Sequence, residues 1–342
     1  MNPQDMKPQR EAWYRSKTFK RFRRNPLAIV GALMLLVFVV VALLAPAITA
    51  PQLAEVRTAR PCLRDLGLKK TEVVGALRNP LHPKFWRAVI APPKSCYNIP
   101  RDGYSPLPKP PSKKHPLGLS GNSYDILYGL IWGTRTAFFV GFWVMGISLA
   151  IGIVIGGLAG FLGGWVDNLL MRVTDVMLAF PSLVFVMIIV SIFGNGITQV
   201  MLAIAVVSWA SYARLFRGDI LKTKAQDFVD AARALGASPL RIFLKHIFPN
   251  AIGTLLILAS MDIGSVVLSF SGFSFLGLGA PVGYADWGQM TSFARGYILG
   301  TAQGTPFDFW YVWIIPTLMI VFFVLAWNLL GDAVRDALDP KS

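Results

Sequence analysis

Six long blocks of apolar residues, at positions 27–48, 136–161, 170–193, 198–215, 251–278 and 309–330, constrain this chain more than anything else in it. Each is near or above the ~20 residues a helix needs to cross the hydrocarbon core of a bilayer. Continuous apolarity of this length leaves no polar face to turn toward water, so the blocks read as membrane spans rather than as amphipathic helices of a soluble domain. Composition agrees: 54% of the 342 residues are hydrophobic, 15% are charged, and the mean hydropathy is +0.53. The expected fold is an all-α integral membrane protein of six transmembrane helices.

The first block invites comparison with a secretory signal, because basic residues precede it and Ala45-Pro46-Ala47 lies at its end. Its apolar stretch exceeds the ~7 to 15 residues of a signal core, so it reads as a retained anchor. Charge sets the expected orientation. The tail at 1–26 carries Lys7, Arg10, Arg15, Lys17, Lys20, Arg21, Arg23 and Arg24 against Asp5 and Glu11, which places it in the cytoplasm. Six spans return the 332–342 tail to the same side. The same count puts the basic segment 216–250 there too. The net charge of +15 thus reads as topology and contact with the lipid bilayer, and no nucleic-acid-binding motif accompanies it.

Segment 216–250 is the polar exception within the second half of the chain. Ala225, Phe228, Ala231, Ala232 and Leu235 recur at helical spacing, which predicts a helix over 223–235. Gly236 suits the left-handed cap that ends it, and Ser238 and Pro239 suit the start of a second helix running to about Phe248. A basic helix-turn-helix between two spans, with small residues beside its turn, reads as a docking handle.

These residues resemble the "EAA" loop of permease subunits of ATP-binding-cassette importers. Asp230-Ala231-Ala232, Gly236 and Ile247-Phe248-Pro249 fill its places, with Asp for the usual Glu and Phe for the usual Leu. The similarity extends from about His115 to Pro340, through Pro116-Leu117-Gly118 and the stretches at 163–183, 274–279 and 328–340, and is to the C-type permease of dipeptide and oligopeptide (peptide/nickel) importers. The resemblance implies the type I importer fold, with the permease core at 136–331. It implies a second permease, two ATPase subunits that bind ATP and Mg, and an external substrate-binding protein. It assigns ATPase coupling to Asp230, Ala231, Ala232, Gly236, Pro239, Ile247 and Pro249, and places the chain in a bacterial or archaeal cytoplasmic membrane. Peptides are the implied substrate, with nickel complexes and oligosaccharides carried by relatives.

The chain carries no GxxxxGK[ST] loop and its three histidines offer no triad, so no cofactor or catalytic site of its own is expected. The alternative reading is a stand-alone ion-coupled transporter or channel, which would need buried ionisable relays. Only Asp262 lies well inside a span, where either a pathway-lining role or a hydrogen bond between helices suits it. Gly152, Gly156 and Gly160 form a small-xxx-small face for close helix contact. Pro181 and Pro316 mark kinks, either fixed or gating. Segment 279–308 holds Tyr284, Trp287, Phe293, Arg295 and Tyr297, read as an interfacial helix at the headgroup level.

Segment 50–135, which the topology puts outside, is rich in proline and holds both cysteines, Cys62 and Cys96. A disulfide, two unrelated thiols, or a zinc site shared with His82 and His115 all fit, although none of these ligands has tight metal-binding spacing. The segment is longer than the resembled family carries at this place and reads as a possible small subdomain.

Overall fold

A computed structural model describes residues 25–299, 305 and 307–338. The basic tail before Asn25 lies outside the described residues. Helix α1, Pro26–Ile48, starts on Asn25, whose side chain accepts a hydrogen bond from the Leu27 amide at 3.0 Å. Leu27, Leu33, Leu36 and Val37 remain exposed on one side, while Gly31, Leu35 and Phe38 pack against the last helix, α15, Trp310–Leu338. A helix apolar on both its buried and its exposed sides is solvated by lipid.

Four short helices follow: α2, Ala50–Glu55; α3, Arg60–Leu66; α4, Val73–Arg78; and α5, Pro83–Ile90. Cys62 on α3 is bonded to Cys96, with the sulfurs 2.01 Å apart. This insertion is no separate body. Its buried Leu53, Leu63, Leu66 and Leu77 belong to the same apolar core as the spans. The Tyr128 hydroxyl donates to the Cys96 carbonyl at 2.6 Å, and Arg135 donates to the carbonyls of Val89 at 2.7 Å and Ala42 at 3.0 Å. These bonds staple the insertion to α1 and to α6, Ile126–Leu162.

Helix α6 begins ten residues before the expected span, because the Asp125 carboxylate caps it by accepting from the Tyr128 amide at 2.9 Å. Its 37 residues give it a length of about 56 Å, so one end stands in the insertion. The third expected span is not one rod. It is α7, Gly164–Ala179, followed by α8, Ser182–Phe193, at an angle of 89°. Phe180 is extended, as a residue before proline tends to be, and Pro181 has no amide to continue the ladder. Among the described residues five helices are long and apolar enough to cross a membrane, and this bent pair supplies the sixth if counted as one span.

Helix α9, Ile197–Lys224, outruns its apolar block by a basic extension. The handle then follows as α10, Asp227–Ala234, and α11, Pro239–Ile242. The second limb does not stop near Phe248. A π-helical turn, Phe243–Ile247, joins it to α12, Phe248–Phe275. The Phe248 amide reaches back to the Phe243 carbonyl, and the wider turn falls where Pro249 can donate no bond. Helices α13, Trp287–Ser292, and α14, Arg295–Ile298, lie before α15.

The aromatics of segment 279–308 correct the headgroup expectation. Trp287 and Tyr297 are buried, and the Trp287 indole sits over Gly133, donating to the Leu130 carbonyl at 3.0 Å. Tyr284 stacks on Tyr97 and Phe293 on Tyr124. Glycines on α6 leave room for these rings, so they pack inside the protein instead of anchoring it in lipid.

Candidate functional site

Two adjoining cavities of about 470 and 390 Å³ lie between the α7–α8 bend, α9 and α12, and share Ser182, Ile204, Val207, Ser208 and Ser269. The α7–α8 break brings Phe180 and Ser182 to the rim. Helical periodicity brings Ser208, Ser211 and Tyr212 from α9 and Asp262, Ser265 and Ser269 from α12 into the second cavity. The Tyr212 hydroxyl donates to the Asp262 carboxylate at 2.6 Å. Asp262 thus makes the hydrogen bond between helices that the sequence suggested, and it also lines the groove. Its partner lies 50 residues away in the chain, and no local pattern marked Tyr212.

Two ion pairs lie toward the handle end. Arg214 donates to Asp175 at 2.5 Å, and Arg217 grips Asp167 with two donors, one at 2.6 Å. Asp175 therefore pairs across to α9 rather than within its own helix. Among the described residues no Lys or Arg lines either cavity.

The glycine face sits directly behind this wall. A side-chain carbon added at Gly152 would come within 2.6 Å of Tyr212 Cβ, one at Gly160 within 2.8 Å of Ile220, and one at Gly156 would fall on the Ala213 carbonyl. The three glycines let α6 and α9 approach backbone to backbone.

The handle is held by few residues and offers many. Val229, Ile242 and Ile247 are buried, whereas Phe228, Leu235, Leu240 and Leu244 are exposed, Leu235 by 87%. Phe228 and Leu235 on the first limb therefore face away from the rest of the described chain. Gly236 has φ +79°; its amide donates to Arg233 and the Ala237 amide to Ala232, a Schellman-type cap. Ala231 is exposed and Ala232 half-buried, and Asp230 pairs with Arg233 at 2.9 Å. Ser238 occupies the start of α11 without a side-chain capping bond, Pro239 is its first residue, and Pro249 is exposed in the first turn of α12.

Sequence reasoning missed one polar cluster. His115 is buried with Nδ1 2.7 Å from Asp125 and Nε2 3.0 Å from Asp102, and Lys114 donates to Asp102 at 2.7 Å. His82 caps α5, accepting from the Lys84 amide at 3.3 Å. With the cysteines bonded to each other, the shared zinc alternative loses two of its four ligands, and among the described residues no group of three or more His, Cys, Asp or Glu is placed to hold a metal ion.

A bundle of apolar helices around a serine-lined groove, with a helical handle at one end, defines a multi-pass membrane transport subunit. Residues 152–342 match the family model "binding-protein-dependent transport system inner membrane component", and residues 12–60 match that of the N-terminal transmembrane domain of oligopeptide transport permease C. The chain belongs to the family of binding-protein-dependent transport system inner membrane components, and it is an importer permease subunit. It is 31% identical to the dipeptide transport system permease protein DppC of Alkalihalophilus pseudofirmus, over 100% of this chain and 96% of that one. It is 37% identical to the glutathione transport system permease protein GsiD of Pectobacterium atrosepticum, over 70% of this chain and 76% of that one. Among solved structures, the inward-facing MetNI methionine ABC transporter aligns over 63% of this chain and 98% of that one, at 19% identity and a TM-score of 0.49.

Proposed function

We propose that this permease imports peptides across the inner membrane, with both of its termini in the cytoplasm. A second permease would close the serine-lined groove into a pathway, and an external substrate-binding protein would load it at the insertion side. Two ATPase subunits would bind ATP and Mg and grip the handle, so the chain itself needs no cofactor. The peptide substrate is supported by relatives named for dipeptide, oligopeptide and glutathione transport.

The observation that carries the reading is the handle's continuity with the groove wall. Phe228, Leu235, Leu240 and Leu244 present an exposed apolar surface, as a docked partner requires. From Pro239 to Phe275 the chain is helical without a break, so a push on α11 is transmitted along α12 to Asp262. Rigid helices carry such displacements as units. The test is peptide uptake into proteoliposomes holding both permeases and the ATPases, with the binding protein outside and ATP inside. Uptake that needs ATP and no ion gradient is expected. Uptake driven by an ion gradient without ATP would instead assign a secondary transporter.

A further inference from the structure

We propose that Asp262 makes this subunit's half of the pathway a site for the substrate's ammonium group, which rests on the peptide reading above. Among the described residues, Asp262 is the one charged side chain lining either cavity. It is half-buried, so its carboxylate is open to the cavity yet partly shielded from water. Of the acidic groups nearer the handle, Asp175 and Asp167 are paired with Arg214 and Arg217, whereas the partner of Asp262 is the neutral Tyr212 hydroxyl. That hydroxyl holds the carboxylate in place without cancelling its charge.

An ammonium has three donors and no acceptor, and this wall answers with acceptors. One is the carboxylate; the others are the hydroxyls of Ser208, Ser211, Ser265 and Ser269, all lining the same 390 Å³ cavity. Among the described residues no cationic side chain lines that space, so a peptide's own carboxylate finds no counter-charge here and is left toward the partner subunit. A zwitterionic peptide would cross with its amino end on this chain. One carboxylate with neutral hydroxyls is also weak enough to release what it holds, as a pathway site must be.

The charge is tested with thiol probes on the assembled transporter in membranes. Both native cysteines of this chain are bonded to each other, so Ser265→Cys or Ser208→Cys introduces its only thiol, and the rate is read on this subunit after its separation. The probes are the cationic aminoethyl and the anionic sulfonatoethyl methanethiosulfonates. Adding Asp262→Asn, which can still accept from Tyr212, is expected to lower the cation-to-anion rate ratio about tenfold. Tyr212→Phe, which keeps the charge, should leave the ratio high. An unchanged ratio with Asp262→Asn, or thiols at both positions that neither reagent reaches, overturns the proposal.

Uptake of trialanine supplies the second arm. Asp262→Asn should reduce the maximal rate several-fold with the binding protein's affinity unchanged, and Asp262→Glu should restore most of it. Uptake by Asp262→Asn equal to the unaltered chain overturns the ammonium role. If the unaltered transporter imports no peptide, the peptide reading fails instead, and the thiol ratio still decides whether the groove selects cations.

Discussion

Single atoms decide how closely α6 and α9 approach. Gly156→Ala would drive a methyl group into the Ala213 carbonyl, and overpacking of that kind costs about 1–3 kcal/mol. It should lower the thermal unfolding midpoint of the solubilised protein, whereas Gly146→Ala, with nothing within 4 Å, should not. Gly236 is a different case: space around it is open, but its φ of +79° strains any other residue by about 1–2 kcal/mol. Gly236→Trp should reach the membrane at normal levels and lose most uptake while ATP hydrolysis persists. Normal uptake would remove the handle from the coupling path. At Asp102, the hydrogen bond from Lys114 and then that from His115 hold the carboxyl below its usual 3.8. A depressed folded value stabilises the protein above the unfolded value and is lost as pH falls through it. Asp102→Asn should therefore flatten the loss of stability between about pH 5 and about pH 3, followed by thermal unfolding. The glycines and Asp262 were legible because spacing and rarity mark them. Tyr212 and the His115 cluster were not, since their partners come from distant parts of the chain or from an irregular loop.

Helices were read well where apolarity alone defines them and less well where a turn or a cap intervenes. α1 falls close to the expected limits and α15 begins close to its own, because lipid demands an apolar run of bilayer length, but α15 runs eight residues past the expected end at 330. α6 escaped, since residues 126–135 are covered by the insertion and need not end at the membrane surface. The 89° turn at Pro181 exceeds an ordinary kink, because both Phe180 and Pro181 leave the helical region. Pro181→Ala should let α7 and α8 approach one straight helix. Spin labels at Leu169 and Ile192 would then move apart by about 10 Å, measured by pulsed dipolar spectroscopy. An unchanged distance would mean that packing, not proline, sets the turn. In the handle, the helix-turn-helix and its glycine cap were legible from local chemistry. Its fusion to α12 through a π turn was not, since Pro249 reads as a helix stop.

Among the described residues the main apolar core is shared by spans and insertion, which the proline-rich composition of residues 50–135 concealed. Sequence gave no sign that Arg135, Tyr128 and Trp132 reach back to Val89, Cys96 and Thr49. The disulfide closes a separation of 34 residues, worth about 3–4 kcal/mol in the chain-entropy model. Cys62→Ser with Cys96→Ser should thus make the insertion sensitive to added protease while the spans stay folded, as seen by the sizes of the fragments. The central claim, that this chain works as one subunit of an ATP-driven machine, has a direct test. The tagged chain is solubilised mildly from its own membranes, and the proteins retained with it are identified by mass spectrometry. Recovery of a second permease together with ATP-binding-cassette ATPase subunits, the ATPases lost when Leu235 and Leu240 are made charged, is the predicted result. Recovery of the chain alone across several detergents would contradict it.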